Sequence, residues 1–451
     1  MPATLAPTRA DTVSTVAAPR IRTVPIPARD ATVDIARAWC LTVVVALHAL
    51  MVGVSVSSDG PVLANALDRW AWFPVFSWFA QIMPLFFVLG GFSSSLQWSR
   101  MRARGVRPSE YVAGRMRRLL RPAAVAVTAV VVALAALTVC GVPPEIVATA
   151  GFRLSQPLWF LGVYILCTAF VPLLDAAHRR APVVTVAALA AAVVTVDVVR
   201  LWAGVAVVGF ANLLFVWVLI QQFGFWLADG WTARREPRML GALAALALAV
   251  LLVLCLTKVY SFDMLVNLNP PTLALVLLGV AQLALFELAR PWLRRLQRIR
   301  SLAIVVDTVN ARAMTVYLWH MLVLIALAGA LLLSGARLPV PLSGDWWLTR
   351  PLWLVAVAAF VTAVVALAGR VEARRRGGAD AAPSASWAWA AYGSAVLGAG
   401  GVLVLLVTGF SLAGGILGAA LVVGGERLSR PGAGALQLPW RSPAPRILPR
   451  A

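Results

Sequence analysis

The chain has 451 residues, of which 61% are hydrophobic and 13% are charged. Its 39 Lys and Arg residues outnumber its 18 Asp and Glu residues, which gives a net charge of +21. A typical soluble domain is about 45–50% apolar and about 25% charged, so this composition excludes an ordinary soluble domain and a disordered chain. A transmembrane β-barrel is disfavoured because its strands alternate apolar and polar residues, whereas the segments here are apolar on every side. We therefore predict an all-α fold, a polytopic bundle of transmembrane helices.

The N-terminal residues 1–30 are rich in Ala, Thr and Pro with scattered Arg, and they contain no apolar run. They are predicted to form a disordered cytoplasmic tail rather than a signal peptide. Ten apolar segments follow, each close to the ~20 residues that one helical crossing of a membrane needs. These segments lie at about 33–57, 72–97, 122–141, 157–174, 183–203, 207–228, 239–257, 271–288, 311–333 and 351–369. They predict a ten-helix core over residues 31–370.

A further apolar stretch, residues 387–425, is about twice the length of one membrane crossing. Residues 409–415 in its middle include three Gly residues and can form a tight turn between two short helices. We therefore predict an additional transmembrane hairpin over 387–425, which brings the total to twelve helices. A basic cytoplasmic loop at 371–386 is predicted before the hairpin, and a cytoplasmic tail at 426–451 is predicted after it.

The positive charges follow the order of the predicted helices. With the N-terminus on the cytoplasmic side, 33 Lys and Arg residues fall on cytoplasmic segments and six fall on the opposite side. Cytoplasmic loops collect Lys and Arg, so this division supports twelve helices with both termini in the cytoplasm. An eleven-helix arrangement would place five C-terminal Arg residues outside. Because membrane insertion accounts for most of the charge, we expect the lipid bilayer as a partner and no nucleic acid.

The first predicted helix carries three polar residues in an otherwise apolar segment. Arg37 and His48 are eleven residues apart, which is only about 20° past three full helical turns, so they share one face. His48 then lies about 16 Å farther along the helix than Arg37, near the middle of the bilayer. Asp34 precedes Arg37 by three residues and can pair with it. Because an ionisable side chain inside the bilayer is costly, His48 is a candidate functional residue.

Five short motifs occur in a fixed order along the predicted core. They are Arg37-x10-His48; residues 84–92, PLFFVLGGF; the basic residues 114–122, GRMRRLLRP; residues 157–164, PLWFLGVY; and residues 317–320, YLWH. In this order and on these helices, the series resembles the acyltransferase-3 family of membrane-bound acyltransferases. The resemblance covers about residues 31–369.

The resemblance implies a bacterial inner-membrane enzyme that moves an acyl group, often acetyl, from cytoplasmic acyl-CoA to a hydroxyl group. It implies a carbohydrate-type acceptor, such as a glycan, a lipid-linked sugar or a glycosylated small molecule, with acyl-CoA as a co-substrate and no bound cofactor. The family's Arg-x10-His motif corresponds to Arg37 and His48. Its Arg-x-x-Arg motif fits Arg115 with Arg118 or Arg118 with Arg121, and the Leu that follows Arg118 favours the first register. The sequence departs from the family at Gly90, where a Ser is frequent.

The basic residues before the third predicted helix suit the phosphate groups of an acyl-CoA. The planar guanidinium of Arg binds phosphate through two hydrogen bonds, and eight Arg residues lie between positions 100 and 121. We expect Arg37, Arg115, Arg118 and Arg121 to contribute to donor binding. The alternative is that these residues serve membrane insertion alone, because such loops are basic in most membrane proteins.

The transfer of an acyl group to a hydroxyl requires a base, and a histidine serves this purpose near neutral pH. His48 is the expected base. His320 lies about 12 Å along its helix from Arg312, at a comparable depth, and is expected to orient the thioester, stabilise charge or move the proton. Trp159, as a candidate wall of the acceptor site, and Tyr317 are expected to support the site. The four Cys residues are expected to be small core residues, and no spacing of ligands predicts a metal.

Two other classes of function compete with the enzyme. Twelve helices with both termini inside also suit a secondary transporter, but the sequence shows no similarity between its halves, no long central loop and no obvious broken helix. A mixed alternative is a carrier that passes an acyl group across the membrane to a separate partner. A membrane scaffold without chemistry leaves two intramembrane histidines unexplained.

Overall fold

The computed structural model of the protein describes residues 30–57, 60–334, 338–374 and 387–430. Within these residues the chain forms fifteen α-helices and one two-stranded antiparallel sheet. The helices are α1 Ala31–Met51, α2 Phe73–Ala80, α3 Met83–Ala103, α4 Pro108–Val139, α5 Pro144–Ser155, α6 Leu158–Arg180, α7 Pro182–Ala203, α8 Asn212–Ala228, α9 Pro237–Leu256, α10 Leu273–Leu296, α11 Arg300–Ala311, α12 Ala313–Leu333, α13 Gly344–Arg374, α14 Ala388–Thr408 and α15 Leu412–Leu428. Most of the predicted tails and of the predicted basic loop lies outside the described residues.

The chain is an all-α polytopic helical bundle, as the composition predicts. Eleven segments of the described chain are long and apolar enough to cross a membrane. The segment Phe73–Ala103 comprises α2 and α3, and the segment Pro144–Arg180 comprises α5 and α6. The predicted twelfth helix, α15, has 17 residues and forms a hairpin with α14 through a turn at residues 409–411.

The first helix ends earlier than the sequence predicts. α1 ends at Met51, and strand β1 Val52–Ser57 then pairs with strand β2 Gly60–Asn65. The prediction of one apolar helix through residue 57 is therefore wrong. From position 52 onward Val alternates with Gly or Ser, which is the two-residue period of a strand rather than a helical pattern. The helix consequently stops one turn after His48.

The second membrane segment contains a break that was not predicted from the sequence. α2 ends at Ala80 and α3 begins at Met83, with Pro84 in its first turn, where a missing backbone N–H costs nothing. The side chain of Gln282 on α10 satisfies the backbone on both sides of this break. Its Nε2 donates to the carbonyl of Gln81 at 2.8 Å, and its Oε1 accepts from the backbone N–H of Leu85 at 2.9 Å. The expectation that the chain has no broken helix is wrong at this position.

The basic segment before the third predicted helix is helical rather than a loop. α4 begins at Pro108, is capped by a hydrogen bond from the Arg107 N–H to Glu110 Oε2 at 3.2 Å, and continues through Pro122. The helix was predicted to begin at Pro122, where the apolar run begins. The polar turns before that run are nevertheless helical because Arg is a good helix former and Pro108 occupies the favoured first position.

Helices α3 and α8 pack backbone against backbone through two glycines. A Cβ atom on Gly91 would overlap the backbone oxygen of Gln221, and one on Gly224 would overlap the backbone oxygen of Val88. Small residues of this kind allow membrane helices to approach closely. The contact fixes the segment that carries the PLFFVLGGF motif against the centre of the bundle.

The beginning of α1 is tied to α10 by charged groups. Asp30 accepts a hydrogen bond from the Thr32 N–H at 3.0 Å and forms an ion pair with Arg290. Arg290 also contacts Glu287 at 2.9 Å. This cluster fixes the end of α1 opposite to His48.

Candidate active site

The two intramembrane histidines that the sequence singles out lie next to each other. His48 is in the last turn of α1, and His320 is in the second turn of α12. The Nδ1 atom of His48 lies 3.1 Å from the Nε2 atom of His320, and the ring centroids are 5.1 Å apart. His320 is fully buried, whereas His48 is partly exposed. The pair therefore has one inner ring and one ring that other groups can reach.

The partners of His320 determine where the protons of the neutral pair lie. The Nδ1 atom of His320 lies 2.7 Å from the backbone carbonyl of Tyr317, and a carbonyl can only accept a hydrogen bond. His320 Nδ1 therefore carries a proton, and its Nε2 accepts the proton that His48 Nδ1 donates. This arrangement leaves a lone pair on Nε2 of His48. A general base needs such a lone pair to accept a proton.

Tyr317 fixes the position of α12 through its hydroxyl group. The Tyr317 hydroxyl donates to the carbonyl of Pro157 at 2.7 Å and accepts from the N–H of Leu161 at 3.2 Å. It is thus inserted into the first turn of α6, between a carbonyl and an N–H that are four residues apart. Since His320 follows Tyr317 by one helical turn, this contact also fixes the histidine pair relative to α6.

A row of aromatic rings connects the histidine pair to Arg115. The ring of Phe160 meets Tyr317 edge to face at 5.0 Å and stacks on Tyr164 at 5.5 Å. The hydroxyl of Tyr164 then accepts a hydrogen bond from an amino group of Arg115 at 3.3 Å. The row therefore extends from α12 across α6 to α4.

Arg115 is a partly buried cation with neutral partners. Besides Tyr164, it donates to Gln97 Oε1 at 3.1 Å, and its Nε atom is buried without a hydrogen-bond partner. Within the described part of the chain, no carboxylate forms an ion pair with Arg115. A buried donor of a charged group normally has an acceptor, so the unpartnered Nε atom makes this site suited to an anionic group of a ligand.

The other arginines of the basic motif have different surroundings. Residues three apart on an α-helix differ by about 60° in direction, so Arg115, Arg118 and Arg121 spread around α4. Arg118 is exposed, and Arg121 is partly buried, as Arg115 is. The structure brings Arg115 to the aromatic row and gives the other two no such contact among the described residues.

The remaining predicted residues lie in two places. Asp34 and Arg37 occupy the beginning of α1, where the side chain of Asn310 on α11 donates to the backbone carbonyl of Asp34 at 2.8 Å. Trp159 lies beside Trp217 at 5.5 Å and Phe160 at 6.2 Å, so it belongs to the aromatic core rather than to the histidine pair.

Three residues that contribute to the site were not predicted from the sequence. Tyr164 is the last residue of the motif at 157–164. Its hydroxyl group, on the same helix as Phe160, is the signal that could have identified it. Gln97 and Trp353 have no such signal, because only the fold brings them near. Trp353 donates from its indole N–H to the carbonyl of Ala49, next to His48, at 2.9 Å.

The histidine pair is not part of a larger group of metal ligands within the described residues, where no three His, Cys, Asp or Glu side chains come together. Cys40 is buried on α1 as a free thiol. The arrangement consists of a histidine with an available lone pair, a second ring that holds it, and an arginine on a neighbouring helix that has no carboxylate partner among the described residues.

The chain matches a known protein family. A family model described as an acyltransferase domain matches residues 30–370, which is well over half of the chain. The protein therefore belongs to the acyltransferase-3 family, and the resemblance found in the sequence is confirmed. Together with the eleven apolar segments, the match defines a membrane acyltransferase. The comparison with curated proteins and the comparison with solved structures each gave no match.

Proposed function

We propose that the protein transfers an acyl group, acetyl in the simplest case, from acyl-CoA to a hydroxyl group of a carbohydrate-type acceptor. The acceptor class covers glycans, lipid-linked sugars and glycosylated small molecules. The observation that carries this proposal is the hydrogen-bonded pair of His48 and His320, in which the Nε2 atom of His48 retains its lone pair.

Arg115 supports the donor part of this proposal. It lies about 10 Å along α4 from Pro108, at the end of the helix that the charge distribution assigns to the cytoplasm. An acyl-CoA carries several phosphate charges, and a partly buried arginine without a carboxylate partner among the described residues suits one of them. In this orientation the donor enters from the cytoplasm, both termini are cytoplasmic, and the enzyme belongs to the inner membrane of a bacterium.

The histidine pair supplies the proton transfer. His48 Nε2 removes the hydroxyl proton of the acceptor as the hydroxyl oxygen attacks the thioester carbonyl. A C–O bond forms, the C–S bond breaks, and the thiolate of CoA receives the proton from His48. Throughout this cycle the Nδ1 proton of His48 is held by Nε2 of His320, so the imidazolium formed in the step is stabilised by a neutral acceptor. His320 is thus a positioning residue.

The test is acyl transfer from labelled acetyl-CoA in membrane vesicles that expose the cytoplasmic face. We expect His48→Ala to lower the labelling of acceptors by about 10²–10⁴-fold, the range that a general base contributes. Cys40→Ala is the matched control on the same helix, and its labelling should stay within about twofold of the unmodified protein, since no acyl-cysteine is formed. Equal labelling by the His48→Ala variant would refute the assignment of the base.

One observation favours a second candidate, a carrier that passes the acyl group across the membrane to a partner. The break between α2 and α3, held by Gln282, is the kind of discontinuous helix that carriers use. The vesicle assay separates the two candidates when a purified soluble acceptor is supplied on one side only. A carrier consumes acyl-CoA without labelling any acceptor until a partner protein is added, whereas the proposed enzyme labels the acceptor alone.

A further inference from the structure

The C-terminal hairpin of α14 and α15 follows the family-matched segment, which ends at residue 370. It nevertheless packs into the bundle at a defined place. A Cβ atom on Gly398 of α14 would lie 2.6 Å from Leu120 Cδ2 and 3.3 Å from Ile165 Cδ1. Leu120 belongs to α4 and Ile165 to α6, and both are fully buried. Gly398 therefore lies in the seam between these two helices.

The hairpin is closely packed in itself. A Cβ atom on Gly401 would lie 2.8 Å from the backbone oxygen of Gly418, and one on Gly425 would lie 2.8 Å from the backbone oxygen of Ser394. A Cβ atom on Gly425 would also lie 3.2 Å from Leu120 Cδ1, so both helices of the hairpin press on the same leucine. Such backbone contacts leave little freedom for the hairpin to yield.

The residues that the hairpin touches are next to the buried arginine site. Leu120 follows Arg115 by five residues, about 7.5 Å along α4, and Ile165 is the neighbour of Tyr164 on α6. The hydrogen bond between Arg115 and Tyr164 joins the same two helices, and its length of 3.3 Å leaves it sensitive to small changes in helix spacing. Arg115 also retains its buried, unpartnered Nε atom at this point.

We infer that the C-terminal hairpin sets the spacing of α4 and α6 and so positions Arg115 and Tyr164 for the donor. This inference rests on the proposed function, in which Arg115 binds an anionic group of acyl-CoA. Gly398 is a positioning residue in this account, since it touches neither the donor nor the reacting atoms. The hairpin is then a working part of the donor site although it lies outside the family-matched segment.

The test uses the full chain in detergent micelles, with coenzyme A itself as the probe in a calorimetric titration. Gly398→Val adds three carbon atoms in the seam, and we expect it to raise the Kd for coenzyme A by about 5–20-fold, part of the loss expected for a charged hydrogen bond. Gly400→Val is the matched control, because a Cβ atom at Gly400 meets nothing within 4 Å. Its Kd should stay within about twofold of the unmodified protein.

Two further variants distinguish positioning from general damage. Leu120→Ala removes three carbon atoms from the seam, the same number that Gly398→Val adds. The Kd of the double variant should therefore lie within about twofold of that of Leu120→Ala alone. In an Arg115→Gln background, Gly398→Val should change the Kd by less than about twofold, because it acts through the arginine. The unfolding midpoint without ligand is measured for each variant.

The outcomes distinguish the claim that Arg115 binds the donor from the claim that the hairpin positions Arg115. If the unmodified protein fails to bind coenzyme A, the donor site itself is wrong, and the inference about the hairpin is rejected with it. If the unmodified protein binds but Gly398→Val and Gly400→Val behave alike, the donor site stands and the role of the hairpin is rejected. If Gly398→Val raises the Kd as much in the Arg115→Gln background as in the unmodified protein, the role of the hairpin is also rejected. The hairpin would then act at a place other than Arg115.

Discussion

The protein contains two histidine clusters that differ in the groups around the rings. His48 and His320 bond to each other, and His320 bonds to a backbone carbonyl. His178 on α6 instead lies between Gln222 Oε1 at 3.1 Å and the carboxylate of Asp229 at 2.9 Å. Both of these partners belong to α8 or its C-terminal cap.

This difference shows that burial alone does not make a histidine a base. Both ring nitrogens of His178 lie within hydrogen-bond distance of an oxygen atom, one on Gln222 and one on Asp229. Such a ring holds α6 to α8 and has no ring nitrogen free for chemistry. The pair of His48 and His320 has no carboxylate among its bonded partners and shares one proton between the rings, so one nitrogen remains available.

The largest expected effect comes from replacing one histidine in each of the two clusters with glutamine. His48→Gln should lower acyl transfer by about 10²–10⁴-fold with little change in the unfolding midpoint. His178→Gln should keep acyl transfer within about threefold, but lose about 1–3 kcal/mol of stability, since the buried amide of Gln222 loses its partner. Activity assays and thermal unfolding of both variants check this crossed pattern, and a loss of activity in both variants would remove the distinction.

A smaller effect is expected for the inner ring of the pair. His320→Ala should lower kcat by about 10–100-fold, less than the loss of the base itself, because His48 remains but is no longer held. The double variant with His48→Ala should be no worse than His48→Ala alone, as residues that act as a unit are not additive. Multiplied losses in the double variant would show that His320 acts independently.

Donor recognition is expected to depend on one arginine of the basic motif. Arg115→Gln should raise the KM for acyl-CoA by about 10–100-fold, which corresponds to the loss of a buried charged hydrogen bond. Arg118→Gln is the control on the same helix and should change this KM by less than about threefold, because Arg118 is exposed. Steady-state kinetics at varied donor concentration measure both. An equal rise for the two variants would favour a diffuse charge effect over a defined site.

The smallest expected effect concerns the hydroxyl that joins α12 to α6. Tyr317→Phe removes two hydrogen bonds but allows Leu161 to bond directly to Pro157, so we expect a fall in kcat of about 2–10-fold. The KM for the donor should not change, because Arg115 lies at the other end of the aromatic row. A change in KM without a change in kcat would place Tyr317 in donor binding instead.

The sequence predicts those features that depend on local pattern. The apolar segments, the common face of Arg37 and His48 and a turn within residues 409–415 all follow from local residue patterns. The end of α1 at Met51 was missed because Val52–Ser57 is apolar enough to extend a membrane helix, and only its two-residue period indicates a strand. The break at Gln81 was missed because the amide that satisfies it, Gln282, comes from a helix about 200 residues later.

The same limit applies to the site. That His48 and His320 are functional candidates follows from the cost of an ionisable side chain in a membrane. That one ring is a base and the other its support depends on the carbonyl of Tyr317, which only the fold reveals. The register of the arginine motif likewise remains open in the sequence, whereas the contacts of Arg115 with Tyr164 and Gln97 distinguish it from Arg118.

The protonation of His48 and His320 tests the central claim most directly. The chain has only three histidines, so the ¹⁵N signals of uniformly ¹⁵N-histidine-labelled protein in lipid nanodiscs can be assigned with two single variants. At neutral pH we predict that His48 and His320 each carry one proton, on Nδ1. A His48 ring that is protonated on Nε2 would have no lone pair for the acceptor hydroxyl and would contradict the account.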